Sequence, residues 1–410
     1  MSFMSALLPA APSWYPGHMN AFIKRLPVLL ANTDIILELR DTRMPLTSIN
    51  PAFEKSIQRW RADRRMKKGS CCERIIVYGK SDLVSEWGLE PFRRAMQAYH
   101  PDETFFYTAK TNRSSLKTLH GMLVNLAREY AHSRTELNVL IMGMPNVGKS
   151  SLLNGLRVTG IPGAPKALRT SALPGMTRTL STRLKLYDPP MDAKPRACPI
   201  YAFDTPGLML PFLGHGVQGK ERGIRLALIA ALKEGMYDYE LLATYLVHKL
   251  NILQFNRPLY LPLLVPKDGG PVPTDPLEPD ELLEQLCIRR GMLQKGGQPD
   301  IPRAAQWFVE WWRARGALVG YTRTAGWGLD FSWADKPPSP QNPLAVEQEM
   351  MKIIEEHFEA LKVEDEEGER VSKTHKLNVE RKETAKRRKE RLLHRLALRK
   401  GSTGTSGTDV

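Results

Sequence analysis

The sequence predicts an α/β fold: a mostly parallel sheet flanked by helices, followed by a smaller helical domain and a charged tail. Three observations predict it. Short buried-strand runs alternate with amphipathic helical patterns over the first half of the chain, the signature of a parallel sheet. A glycine-rich turn, Gly143 to Ser150, sits between one such strand and the next helix. After Pro206-Gly207 the texture changes to helical patterns, a Pro-rich stretch and then blocks of opposite charge.

Residues 34–39 (DIILEL), 74–78 (RIIVY), 104–107 (TFFY) and 137–142 (LNVLIM) read as buried strands. Helical patterns fall around 50–60, at 89–99 and over 113–131, where Leu116, Leu119, Leu123, Leu126 and Tyr130 share helical spacing. From Arg59 to Arg74, seven basic residues against two acids suggest an exposed loop, either solvated or touching RNA. A short apolar strand, Ile200 to Phe203, precedes Asp204. Helical patterns cover 220–255 and 279–318, divided by the Pro-rich 257–278. Trp307, Trp311 and Trp312 read as core of the second, rather than as base-stacking platforms. His215 and His248 read as ordinary histidines. Residues 335–343 (DKPPSPQNP) form a linker. Residues 344–362 suit an amphipathic helix with Met350, Ile354, Phe358 and Leu361 on one side. The expected division is 1–212, 213–334 and 335–410.

Composition narrows the class. The 410 residues include 59 Lys+Arg and 44 Asp+Glu, and this +15 balance favours a polyanionic partner, nucleic acid before a membrane surface. A hydrophobic content of 42% excludes wholesale disorder. No apolar run approaches the roughly 20 residues that span a bilayer, so no transmembrane segment is expected. The tail is polarised: 345–370 has ten acids to three basic residues, 371–400 twelve basic residues to three acids. The basic part reads as binding RNA phosphates, with a solvated polyampholyte as the alternative. Residues 401–410 read as disordered. Cys71, Cys72, Cys198 and Cys287 form neither a disulfide framework nor a zinc set, so free thiols in a reducing compartment are expected. Residues 1–13 carry no acid, Lys or Arg and fit neither a secretory nor an Arg-rich leader.

The chemistry concentrates in five short motifs. Gly143-Met-Pro-Asn-Val-Gly-Lys-Ser150 fits GxxxxGK[ST] between strand and helix, the context a P-loop requires. Its backbone N–H groups converge on phosphates. Pro145, Asn146, Val147, Gly148, Lys149, Ser150 and Ser151 are therefore the candidate phosphate contacts, with Lys149 neutralising charge and Ser150 ligating Mg²⁺. Asp204-Thr-Pro-Gly207 follows a strand and suits a second Mg²⁺ ligand, Asp204, with Gly207 sensing the terminal phosphate. Thr177, in Pro174-Gly-Met-Thr177, is the switch threonine and third Mg²⁺ ligand. Gly79-Lys80-Ser81-Asp82 ends another strand. There Asp82 can accept from guanine's ring N–H and amine, and Lys80 can lie along the base. Gly79 stands where Asn is usual. Thr108-Ala109-Lys110 ends a third strand and resembles the Ser-Ala-Lys element that supports the base.

The base motifs thus precede the P-loop, the order of a circularly permuted GTPase. This order resembles the ribosome-assembly GTPases of the YlqF/RbgA family. The resemblance sharpens at Trp14-Tyr-Pro-Gly-His-Met19 and Arg40-Asp-Thr-Arg-Met-Pro45, covers residues 14–210 and is weak over 291–320. Among eukaryotic members the chain resembles the mitochondrial branch; the long tail, the insertion at 188–198 and Gly79 in the base motif suit a eukaryotic, fungal version. The resemblance implies GTP hydrolysis with Mg²⁺, binding of the mitochondrial large ribosomal subunit and its rRNA, and a matrix location, with peripheral association at the inner membrane. Leu208 occupies the position where a Gln orients water in Ras-like enzymes, so slow isolated turnover is expected. From the residues alone His18 reads as a cap on a Pro-Gly turn; the resemblance implies that it orients the water instead. Asn146 reads as a loop-stabilising hydrogen bond, or, by resemblance, as a K⁺ ligand. Two competing readings are a non-catalytic RNA-binding scaffold and a cytosolic or nucleolar relative.

Overall fold

The computed structural model describes residues 17–66, 69–109, 112–165, 167–168, 183–190, 194–208, 213, 216–253, 258–265, 273–315, 326–333, 338–339 and 341–364. Met1–Glu355 and Glu356–Val410 are two separate units. The first opens with helix α1 (Gly17–Ala31), β1 (Ile35–Asp41), α2 (Pro51–Arg65), β2 (Glu73–Gly79), α3 (Leu89–Tyr99), β3 (Thr104–Tyr107) and α4 (Arg113–Glu129). It continues with β4 (Leu137–Gly143), α5 (Lys149–Gly160), β5 (Leu184–Tyr187) and β6 (Ile200–Asp204). The sheet order is β3-β2-β1-β4-β6-β5, parallel except for the edge strand β5. Each strand run read from the sequence lies on one of these strands, because buried parallel strands are apolar throughout. β5 has no counterpart in the sequence reading. Its pattern of alternating burial, Leu184 and Leu186 in, is too short to stand out.

Local chemistry sets the helix starts. Asn112 caps α4 by accepting from Ser114 and Ser115 N–H at 2.9 and 3.3 Å. Within the sheet, all seven positions of β1 are buried, including Glu38, Arg40 and Asp41. Buried charge is tolerated only when paired, and here it is. Glu38 accepts from Arg40 Nε at 2.7 Å and from Arg74. Arg74 also reaches Glu103 at 3.0 Å and Glu54 at 2.9 Å. Burial alone would raise the Glu38 carboxyl, but Arg40 and Arg74 outweigh it and hold it at about 2.

This network corrects part of the reading of 59–74 as an exposed basic loop; Arg59 and Arg65 are exposed, and Lys67 and Lys68 lie outside the described residues. Residues 59–65 belong to α2. Arg61 binds Glu103 at 2.9 Å, Arg64 binds Asp34 at 2.7 Å, and Arg74 lies inside β2. These cations are spent on internal pairs, so only tertiary contacts distinguish them from a solvated face. Cys71, Cys198 and Cys287 are buried free thiols and Cys72 is half-buried.

The helical region comprises α6 (Gly216–Leu228), α7 (Tyr239–Leu253), α8 (Pro279–Arg290) and α9 (Ile301–Arg315), then a short hairpin of β7 (Gly326–Trp327) and β8 (Phe331–Ser332). Of the three tryptophans read as core, Trp312 is fully buried, beside Phe308, while Trp307 and Trp311 are only half-buried. The hairpin ties this region to the sheet. Trp327 Nε1 donates to Ser85 O at 2.9 Å, and Asp330 accepts from Leu46 N, Thr47 N and Thr47 Oγ1 at 2.6–2.8 Å. Residues 343–364 are helical, with Val346, Met350 and Ile354 buried. Among the described residues no helix is long and apolar enough to cross a membrane.

Arg74→Ala is expected to destabilise the fold by about 3 kcal/mol, because it leaves the buried Glu38 with Arg40 alone and Glu103 with Arg61 alone. The check is a lower urea midpoint at unchanged slope. The depressed Glu38 contributes stability that is fully present above its ordinary 4.5 and is lost as pH falls through about 2. Glu38→Gln should therefore flatten the acid limb of the stability curve over that window.

Candidate functional site

In open parallel sheets ligands bind beyond the strand carboxyl ends, where the strand order reverses direction. Here that point lies between β1 and β4. The P-loop follows β4, the base motif β2, the Thr108 element β3, and Asp204 ends β6. Four motifs distant in sequence thus share one edge of one sheet.

The P-loop is shaped by backbone conformations few residues adopt. Gly143 has φ +145, and a Cβ there would stand 2.3 Å from Leu39 O. Gly148 has φ +101 and Asn146 φ 59. Lys149 opens α5, buried, and donates to Met144 O at 2.8 Å and Gly143 O at 3.2 Å. Burial lowers its ammonium to about 8, against the pull of Asp204. Ser150 Oγ donates to Asp204 Oδ2 at 2.6 Å. Burial raises the Asp204 carboxyl, opposed by Ser150 and Lys149. A hydroxyl and a carboxylate converging in a desolvated place fit a hard divalent cation such as Mg²⁺, which takes oxygen ligands and retains waters. No cluster of three His, Cys, Asp or Glu exists among the described residues, so a cation here would draw its remaining ligands from hydroxyl, phosphate or water oxygens. Thr177 lies outside the described residues.

Gly207 is a steric requirement. A Cβ on it would lie 2.5 Å from Pro145 Cα and 2.7 Å from Pro145 N, so only glycine lets the Asp204 segment close on the P-loop. Leu208 is fully buried and donates its N–H to Gly143 O at 3.2 Å. It presents nothing that could orient water.

At the base end, Lys80 has φ 62 and donates through Nζ to Asp41 Oδ2 at 2.9 Å and Asn146 O at 3.0 Å. Asp82 Oδ1 is buried with no hydrogen-bond partner. Thr108 O accepts from Ser81 N at 3.1 Å, which ties the β3 element to the base motif. Ala109 follows it in the described chain; Lys110 lies outside it. A Cβ on Gly79 would meet Val147 O at 3.3 Å, so a side chain here would crowd the P-loop. Ser151 is the exposed third residue of α5. His18 lies in α1 by backbone, and nothing further is described of its side chain.

Two features, and the partner of the hydrogen bond read at Asn146, escaped the sequence reading. Asp41 at the end of β1 is fully buried and accepts from Arg43 and Lys80; burial would raise its carboxyl, but these two cations hold it well below the usual carboxylate range. Arg43 in turn covers the Trp312 ring at 4.7 Å and donates to Arg313 O at 3.2 Å. Asn146 Nδ2 donates to Ile229 O, just beyond α6, at 3.1 Å. The available signal was Arg40-Asp-Thr-Arg: charges at the end of an apolar strand must be paired.

A family model described as "50S ribosome-binding GTPase" matches residues 138–250. Mitochondrial GTPase 1 of Schizosaccharomyces pombe is 31% identical over 304 residues, 70% of this chain and 81% of that protein. Mitochondrial ribosome-associated GTPase 1 of Xenopus tropicalis is 28% identical over 286 residues, 69% of this chain and 81% of that protein. The GDP-bound structure of TM YlqF aligns at a TM-score of 0.42 and 17% identity, over 72% of this chain and 95% of that one.

Two predictions follow from this geometry. Gly207→Ala should weaken GDP and GTP binding about tenfold or more, measured by calorimetry, because backbone atoms cannot yield to the added carbon. Bound phosphates should raise the Lys149 ammonium from about 8. GDP affinity should then fall by up to about tenfold per unit as pH rises past 8, and Lys149→Ala should lose that slope.

Proposed function

We propose that this chain, which belongs to the mitochondrial GTPase 1 family, is a GTP-hydrolysing assembly factor for the large subunit of the mitochondrial ribosome. It binds rRNA in the GTP state and leaves on hydrolysis. The observation that carries the reading is the gathering of base motif, P-loop and Asp204 segment on one sheet edge. The GTPase family match and the GTPase-named relatives favour an enzyme over a scaffold. The relatives' names support mitochondria and a ribosomal partner over a cytosolic or nucleolar role.

On this reading residues 1–212 bind nucleotide, 213–334 support them, and the basic part of 335–410 meets RNA phosphates. Asp82 accepts from the guanine ring N–H and amine; its unpartnered buried oxygen supports that role. Lys80 lies along the base, and Thr108, Ala109 and Lys110 support it. Pro145 to Ser151 cradle the phosphates and Gly207 senses the terminal one. Ser150, Thr177 and Asp204 would hold Mg²⁺, which supplies charge neutralisation at the phosphates. Leu208 leaves the attacking water without a guide, so isolated turnover is slow. His18 is the imidazole that orients it once the ribosomal subunit moves this segment. K⁺ beside Asn146 is the second source of positive charge. The hydrogen bond to Ile229 O engages the amide nitrogen, which leaves the amide oxygen as the atom for a cation.

The test is GTP turnover by wild type and His18→Ala, in K⁺ and in Na⁺, with and without large ribosomal subunits. Stimulation by subunits on the order of 10³-fold or more, lost in His18→Ala, is expected. Stimulation that survives the substitution moves catalysis to K⁺ or rRNA. Separately, Asp82→Asn should exchange GTP preference for XTP, since xanthine carries a carbonyl where guanine carries the amine.

A further inference from the structure

Among the described residues, three that are not glycine have left-handed backbone: Lys80 (φ 62), Asn146 (φ 59) and Ala230 (φ 54). All three line the same cavity of about 580 Å³, a size suited to a small-molecule site. Left-handed backbone costs an L-residue roughly 1–2 kcal/mol, and such residues gather where a ligand is held. Lys80 and Asn146 belong to the base motif and the P-loop. Ala230 belongs to neither.

Ala230 ends α6. Its N–H donates to Ala227 O and the Ala231 N–H to Leu226 O, both at 2.9 Å. That pair of bonds is the Schellman closure, whose left-handed position is usually glycine. The last carbonyls of α6 are met from two sides. Arg313 donates to Ala227 O and Leu228 O at 2.9 and 2.8 Å, and the P-loop's Asn146 donates to Ile229 O. The turn beyond, up to Tyr239, runs along the cavity, with Leu232 and Tyr237 buried in its wall. One polar atom there, Asp82 Oδ1, is buried with no hydrogen-bond partner; the Tyr237 hydroxyl turns instead onto α6, where a Cβ on Gly223 would stand 2.3 Å from it. A slot with one apolar wall and an open carboxylate oxygen opposite fits a flat, amine-bearing heterocycle.

We propose that the turn Ile229–Tyr239 of the helical region is the outer wall of the base site, enclosing a guanine ring between Lys80 and Asp82 on one side and Ala230, Leu232 and Tyr237 on the other. This rests on the reading of Lys80 and Asp82 as the base motif. The wall supplies ring contacts where Gly79 has no side chain to offer. It also makes nucleotide occupancy a contact between sheet and helical region, so the base cannot leave without that turn.

The test uses the full chain and two probes, GDP and inorganic tripolyphosphate, the second engaging the P-loop but having no base. Leu232→Phe, which fills the slot, should weaken GDP about tenfold or more and tripolyphosphate less than about twofold. Unchanged GDP affinity, or equal losses for both probes, overturns the proposal. On the wild-type chain, GDP should slow amide exchange across 229–239 and tripolyphosphate should not; equal protection by both, or none from GDP, overturns it without relying on a variant. A wild-type chain that binds neither probe overturns the nucleotide site itself, and the wall with it.

Discussion

The buried carboxylate of Asp41 has to be neutralised, and the way it is neutralised organises the molecule. It ends the central strand at the point where the sheet order reverses. Water cannot reach it, so two cations must. Arg43 comes from its own loop, and Lys80 from the neighbouring strand's base motif. Each cation then carries the constraint outward. Lys80 also donates to the P-loop carbonyl of Asn146, and Arg43 lies over Trp312 and donates to Arg313 O in the helical region. One carboxylate thereby sets the base motif, the phosphate loop and the second layer of helices in a common frame.

The same frame explains where strain is kept. Lys80, Asn146 and Ala230 hold left-handed backbone; Lys80 is fixed by Asp41, Asn146 by Ile229 O, and Ala230 by the last turn of its own helix. Such conformations persist only where the surroundings over-determine them. A phosphate loop needs that rigidity, because donors aimed in advance do not have to be reorganised around the ligand. The carbonyl end of α6, met by Arg313 on one side and Asn146 on the other, extends this pre-organisation from the sheet into the helical region.

How much was legible varied with how local the cause was. The strand runs and α3 at Leu89–Tyr99 stand as read, since apolar continuity and helical spacing are properties of neighbouring residues. Arg61, Arg64 and Arg74 were misread because basic residues look identical whether they face water or Glu103, Asp34 and Glu38. Strand β5 and the hairpin at Gly326–Ser332 are too short to print a period. Asp330 was invisible for a related reason: its partners, Thr47 and Arg225, lie far away in the chain.

By itself the sequence determined where the short motifs lie: the glycine-rich turn with Lys149 and Ser150, the Asp204 segment, and Gly79 to Asp82, each at a strand's carboxyl end. These are contiguous residues whose backbone and side-chain requirements are met within a turn or a strand end. It determined their unusual order as well, since order is what a sequence is. Only the tertiary structure decided that four separate strand ends share one edge, that Asp41 binds them together, and that a turn from the helical region borders the cavity beside Lys80. Those outcomes depend on pairing buried charges and capping helix carbonyls across long separations, and such pairings leave no periodic trace in the chain.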